Sequence, residues 1–166
     1  ALGLAGAFAG HSASAQDVAI TGVTVATGDG SEPVENGAVL VRGGRVVYAG
    51  PASGMPASGG ATAIDGQGAW VTPGIVAAIT TLGLLDVGGV GESNDSSARN
   101  SPFSAALDVA PAVNPNSQHI LVHRAAGVTR AATTTSPSAS IFAGQGAIID
   151  LGADPNAVMR PRAFQM

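Results

Sequence analysis

The sequence predicts an α/β chain in which a small antiparallel β unit gives way to the opening of a parallel strand–helix–strand series. Three observations predict it. Two β-rich runs, residues 38–42 and 45–49, flank Gly43-Gly44, and a two-residue Gly-Gly loop of this kind closes hairpins because both positions need positive φ. Pro73-Gly74 introduces a nearly continuous apolar run over residues 75–81, the pattern of a strand buried on both faces of a parallel sheet. Asn114-Pro115-Asn116 then reads as a helix start, Gly127 as its C-terminal stop, and the β-branched residues 128–135 as the next strand. A strand, helix and strand of these lengths imply a right-handed parallel crossover.

The remaining elements follow in chain order. Val18, Ile20, Val23 and Val25 are spaced for a strand, with Gly22 a bulge or kink. Gly28-Asp29-Gly30 breaks it. Residues 50–60 are a Gly/Pro/Ser-rich loop, and short strands 61–65 and 69–71 sit about the Gly66-Gln67-Gly68 turn. Tyr48 and Trp70 are expected to fill the join between this unit and the barrel-type region that follows. Residues 88–101 read as a loop, and Pro111 limits any helix over 101–113. The helix over 117–126 is expected to carry Leu121, Val122, Ala125 and Ala126 on one side. A further strand covers 147–151, and no closing element is expected over 161–166.

The chain has 166 residues, enough for one domain with a core. Hydrophobic residues make up 45% and charged residues 11%, which is not the composition of a disordered chain. The net charge is −4 with no basic run, so no nucleic-acid footprint exists. Cysteine is absent, which excludes disulfides, thiolate catalysis and Cys-based zinc sites. The only histidines are His11, His119 and His123.

Residues 1–10 form a short apolar stretch, followed by Ala13-Ser14-Ala15 before Gln16. That reads as the end of a secretory leader with an A-x-A cleavage site, about half the length a membrane span needs. The expectation is a truncated leader over 1–16, a β-rich module over 17–72 and a barrel-type region over 73–166. The mature protein is expected to be exported, periplasmic or secreted.

The phrase Ile64-Asp65-Gly66-Gln67-Gly68-Ala69-Trp70-Val71-Thr72-Pro73-Gly74 carries a family resemblance. Together with the strand that follows it, it resembles the amidohydrolases, in which a β module runs into a first barrel strand ending in Asp-x-His-x-His. Ala126-Gly127-Val128-Thr129 and residues 141–147 resemble the exported, imidazolonepropionase-like branch. The resemblance implies a composite β module followed by the first strands of an incomplete (β/α)₈ TIM-like barrel. A barrel of this type takes about 250 residues and only about 90 follow Pro73, so an N-terminal fragment is expected. It further implies a divalent metal, usually zinc, that activates water for hydrolysis of a C–N bond other than a main-chain peptide bond, such as a cyclic amide or a dipeptide-like substrate.

The metal motif is degenerate. The family's Asp falls on Ala77 and its two histidines on Ile79 and Thr81. Isoleucine has no lone pair, and threonine is at most a weak oxygen ligand. No metal ligand and no catalytic residue is therefore assigned, and the fragment alone is expected to be inactive. Asp86, Glu92 and Asp95, on or beside the loop after this strand, are candidate substrate-loop residues, against the plainer reading of a solvated, turn-rich loop.

His119 and His123 share a helix face, but without the intervening Glu of a zinc-helix motif they read as a solvated face on the outside of the barrel. Gly89-Val90-Gly91 and Gly144-Gln145-Gly146 precede no helix and read as turns rather than phosphate cradles. The expected partner is a small-molecule substrate, with no nucleic acid and no membrane span; a homo-oligomer is compatible. The alternative function is a degenerate, non-catalytic binding or interaction protein of the same fold.

Overall fold

The computed structural model describes residues 16–166 except 100, 139, 153 and 154; the expected leader lies outside the described residues. The chain divides into two compact units, Ala1–Pro73 and Gly74–Met166.

The first unit is a five-stranded sheet. Strands β1 (Val18–Val25), β2 (Val34–Arg42) and β3 (Arg45–Pro51) form an antiparallel meander. Gly43 and Gly44, at φ 54° and 74°, supply the turn that joins β2 to β3. The register of β1 against β2 slips between Thr21 and Val23, which places the expected bulge at Gly22. Val23, Val25 and Val39 are buried together as the core, with Val34, Val41 and Val71 packed around them.

One expectation needs refinement. β4 (Thr62–Asp65) and β5 (Trp70–Val71) pair with β1 in parallel, so the module is antiparallel only over its meander. The loop after β3 carries the chain to the free edge of β1, and the strands laid there run in β1's own direction. The aromatics lie outside the buried core of this unit. Trp70 is 63% exposed, and the Tyr48 hydroxyl turns back to donate to the carbonyl of Pro51.

The second unit is a four-stranded sheet in the order β6-β7-β8-β9, made of β6 (Ile75–Thr80), β7 (Val128–Thr133), β8 (Gln145–Asp150) and β9 (Val158–Gln165). β6 and β7 are parallel, as the strand–helix–strand pattern requires. β8 returns antiparallel to β7, and β9 antiparallel to β8. The third strand is thus not a further parallel barrel strand, because the short connection after β7 contains no crossover helix. β9 was not legible in the sequence. Pro161 argues against a strand interior, but β9 is an edge strand, where a missing N–H costs no ladder bond. Its register against β8 slips between Gly146 and Ile148, and Arg162 there takes φ 48°.

Leu82, Ile120, Ala131, Ile149 and Leu151 form the main core of this unit. The helix α1 (Gln118–Ala125) contributes Ile120, whereas Leu121 and Val122 are exposed. The expected helix face is therefore rotated by one position. One reason is the anchoring of the helix start: buried Ser117 donates its hydroxyl to the carbonyl of Leu85, and the Gln118 amide donates to Asp86 Oδ1 at 2.8 Å. The chain then leaves the helix through Gly127, whose amide closes on Arg124. Over 101–113 only a single 3₁₀ turn forms, Ala110–Ala112.

β6 departs most from expectation. Ile75, Val76 and Ile79 are 57%, 64% and 66% exposed, not buried on both faces. β6 pairs only with β7, and nothing among the described residues covers its outer edge.

Two outcomes follow for stability. Asp86 caps α1 from outside the helix, so Asp86→Ala should lower stability by about 1 kcal/mol in chemical denaturation, while Asp86→Asn, which keeps an accepting oxygen, should recover most of it. Arg162 Nε donates to Asp108 Oδ2 at 2.8 Å, and this contact, with the Ala110 amide, holds the Asp108 carboxyl below its usual 3.8. Because the folded value is depressed, the stabilisation is complete above pH 3.8 and is lost as pH falls towards the folded value. Arg162→Ala should return Asp108 towards the usual value in an NMR titration and flatten the acid limb of the unfolding curve.

Candidate functional site

The family-ligand positions lie on β6 and just after it, in a strand whose end is tied firmly to β7. Gly74 starts the attachment. A Cβ at this position would meet the Thr129 side chain at 2.1 Å, so only glycine allows β6 to enter this close to β7. At the far end Thr80 Oγ1 donates to the carbonyl of Ala132, and the amide of Thr134 donates to the carbonyl of Thr80. Thr133, fully buried, donates its hydroxyl to the carbonyl of Leu82 at 2.7 Å. These threonines satisfy carbonyls that a strand end would otherwise leave unpaired. Sequence reading assigned them only strand propensity. A β-branched residue with a hydroxyl at a strand's end was the available signal.

Within this frame β6 is irregular. Ala77 pairs with Ala131 and Thr80 with Thr133, so β6 carries one extra residue between these pairs, at the segment that contains Ile79. The bulge interrupts the strict alternation from which one shared face for positions 77, 79 and 81 was expected. The three side chains nonetheless line one cavity of about 450 Å³, together with Thr80, Leu82 and Leu85. Its wall also includes His119 and His123. The histidine pair, expected to stand apart from the vacated ligand positions, shares a cavity with them. The reason is local: Asp86 and Leu85, just beyond β6, grip the start of α1, which brings its first turn beside the strand's end.

Asp86, Glu92 and Asp95 converge on a separate cavity of about 250 Å³, lined also by Gly83, Leu84, Ser93 and Asn114. Their roles differ. Asp86 is committed to the helix start. The Asp95 amide donates to the carbonyl of Leu84 at 2.7 Å, and the Asp86 amide to that of Ser93, which folds the loop back along the exit of β6. Glu92, exposed, sits in the 3₁₀ turn Gly91–Ser93.

The residues present do not fit the metal that the family resemblance implies. Ala77 and Ile79 offer hydrocarbon where that site needs lone pairs, and Thr81 offers one hydroxyl. Among the described residues no group of three His, Cys, Asp or Glu side chains is placed to hold a metal ion. Among the same residues no helix is long and apolar enough to cross a membrane.

No family model matches the chain. It is 53% identical over 58 residues to 5-methylthioadenosine/S-adenosylhomocysteine deaminase of Symbiobacterium thermophilum, a match covering 34% of this chain and 13% of that protein. It is 51% identical over 49 residues to imidazolonepropionase of Acidiphilium cryptum, covering 30% of this chain and 12% of that one. The chain thus matches only about an eighth of the length of these relatives. Among solved structures, an amidohydrolase from Thermotoga maritima superposes over 89% of this chain and 38% of its own with a TM-score of 0.75, at 24% identity, which speaks for the fold. The β module followed by a parallel strand pair, the phrases around positions 77–81 and these matches agree: over its matched segments the chain is similar to enzymes of the amidohydrolase superfamily, and its fold is that of an amidohydrolase's N-terminal part.

Proposed function

We propose that this chain supplies the composite module and the opening barrel strands of a hydrolase acting on a non-peptide C–N bond in a small molecule, a cyclic amide or a dipeptide-like compound. Its own share is framework rather than chemistry. The observation that supports this is the contrast within β6 and its exit. Ala77, Ile79 and Thr81 have lost the donors that the family's water activation uses, while Gly74, Thr80, Thr133 and the Leu82-Gly83-Leu84 turn keep the strand anchored. A strand kept in place without its ligands positions neighbours and walls a cavity; it does not activate water.

A second reading is a non-catalytic binding protein of the same fold. The cavity of about 450 Å³ favours it, since Ile79 and Leu82 give it an apolar wall suited to holding a small molecule. We extend the proposal to export, which rests on the apolar stretch before Ala13-Ser14-Ala15.

Three measurements bear on these readings. The purified chain, supplied with zinc, should show no hydrolysis of cyclic amides or dipeptides above background; turnover by the chain alone would overturn the framework assignment. The triple variant A77D/I79H/T81H should gain zinc affinity in calorimetry over the parent chain, because the strand is still held; no gain would mean that the bulge has already moved these positions out of ligand geometry. Expressed with a complete leader, the protein should be recovered outside the cytoplasm with Gln16 as its first residue.

A further inference from the structure

Among the described residues, the histidine pair of α1 goes furthest towards a site of its own. We propose that His119 and His123 form a binding site for a single divalent transition-metal ion, with the Nε2 atoms of both rings as ligands and water completing the coordination. The site is on the helix, not on the strand that bears the vacated family positions, and it does not depend on the hydrolase reading.

Four observations converge on it. Residues four apart on a helix lie one above the other on the same face, within the reach of one ion. Both imidazoles also line the same cavity of about 450 Å³, so they face a common space. The His123 ring is oriented by its own helix: Nδ1 lies 2.7 Å from the carbonyl oxygen of His119. A carbonyl only accepts, so Nδ1 carries the hydrogen, and in the neutral ring the lone pair is left on Nε2. A ring nitrogen donating to a backbone carbonyl while the other stands free is the arrangement that ligating histidines adopt, because it fixes tautomer and orientation. Finally, the nearby cation is drawn elsewhere. Arg124 Nη1 donates to the carbonyl of Leu151 at 3.2 Å.

The surroundings set the class of ion. Ala77, Ile79, Leu82 and Leu85 offer no donor, Thr80 already donates its hydroxyl to Ala132, and Thr81 adds one neutral hydroxyl. No carboxylate lines the cavity, so a hard ion such as Ca²⁺ or Mg²⁺, which takes several charged oxygen ligands, is disfavoured. Two imidazoles with open positions suit Cu²⁺, Ni²⁺ and Zn²⁺, with Cu²⁺ the tightest. His119 is half-buried and His123 exposed, which leaves room for the waters that must fill the remaining positions.

Calorimetric titration of the full chain with Cu²⁺ tests the proposal. The expected result is one equivalent bound per chain, weakened by an order of magnitude or more in His119→Ala and again in His123→Ala, and unchanged in His11→Ala. Equal affinity in the parent and in the double variant H119A/H123A would overturn it, as would loss of binding in His11→Ala alone. Should the alanine variants unfold, NMR on the parent chain decides the matter without any substitution. Substoichiometric Cu²⁺ should broaden the imidazole resonances of His119 and His123 before that of His11; the reverse order would sink the site. Hydrolase assays do not enter, so the site and the hydrolase reading stand or fall separately.

Discussion

The closeness of β6 to β7 is the constraint on which the second unit depends. Among the described residues β6 has one strand neighbour, β7, and its backbone pairing comes from β7 and the residues on either side of it. The entry is set by Gly74, where any Cβ would collide with Thr129. The exit is set by threonine hydroxyls: Thr80 to Ala132, and buried Thr133 to Leu82. Each such bond contributes on the order of 1 kcal/mol, but leaving the Leu82 carbonyl buried and unpaired would cost more than the bond gains. The turn Leu82-Gly83-Leu84 follows from this anchor, and so do the grip on α1 through Leu85 and Asp86 and the placement of Ile120 in the core.

The parts of the fold that the sequence announced are those decided by local chemistry. Gly43-Gly44 can hardly do anything but turn, Gly22 marks the bulge in β1, and Gly127 ends the helix. What it concealed was decided at a distance. The parallel run of β4 depends on which edge of β1 a flexible loop reaches. The strand β9 hides behind Pro161, a residue that sheets accept on edge strands, and β9 is at the edge of its sheet among the described residues. The buried face of α1 is fixed by two anchors more than thirty residues upstream, at Leu85 and Asp86, and no helical periodicity within residues 117–126 contains that information.

The candidate site divides in the same way. That Ala77, Ile79 and Thr81 offer no strong metal donor was legible directly from the sequence. That the histidine pair shares their cavity was not, because it depends on Asp86 drawing the first turn of α1 to the end of β6. The contact of Asp86 Oδ1 with the Gln118 amide was likewise not legible, because it joins residues 32 positions apart.

The choice of replacements at the vacated positions bears on why the strand persists. Isoleucine and threonine are both β-branched, and β-branched side chains fit a pleated strand well. Relative to the imidazoles that the family resemblance implies there, these side chains lack ring lone pairs yet suit a strand, so the chemistry of a position and its conformation are separable. The exposure of Ile75, Val76 and Ile79 points the same way. A continuous apolar run is the pattern of a strand covered on both faces, and leaving such side chains in water forgoes about 1.5–3 kcal/mol each relative to full burial. β6 is therefore written as a covered strand even where the described residues leave it open. Ala77, Ile79 and Thr81 offer no strong metal donor, while Gly74 and the threonine hydroxyls hold the strand against β7.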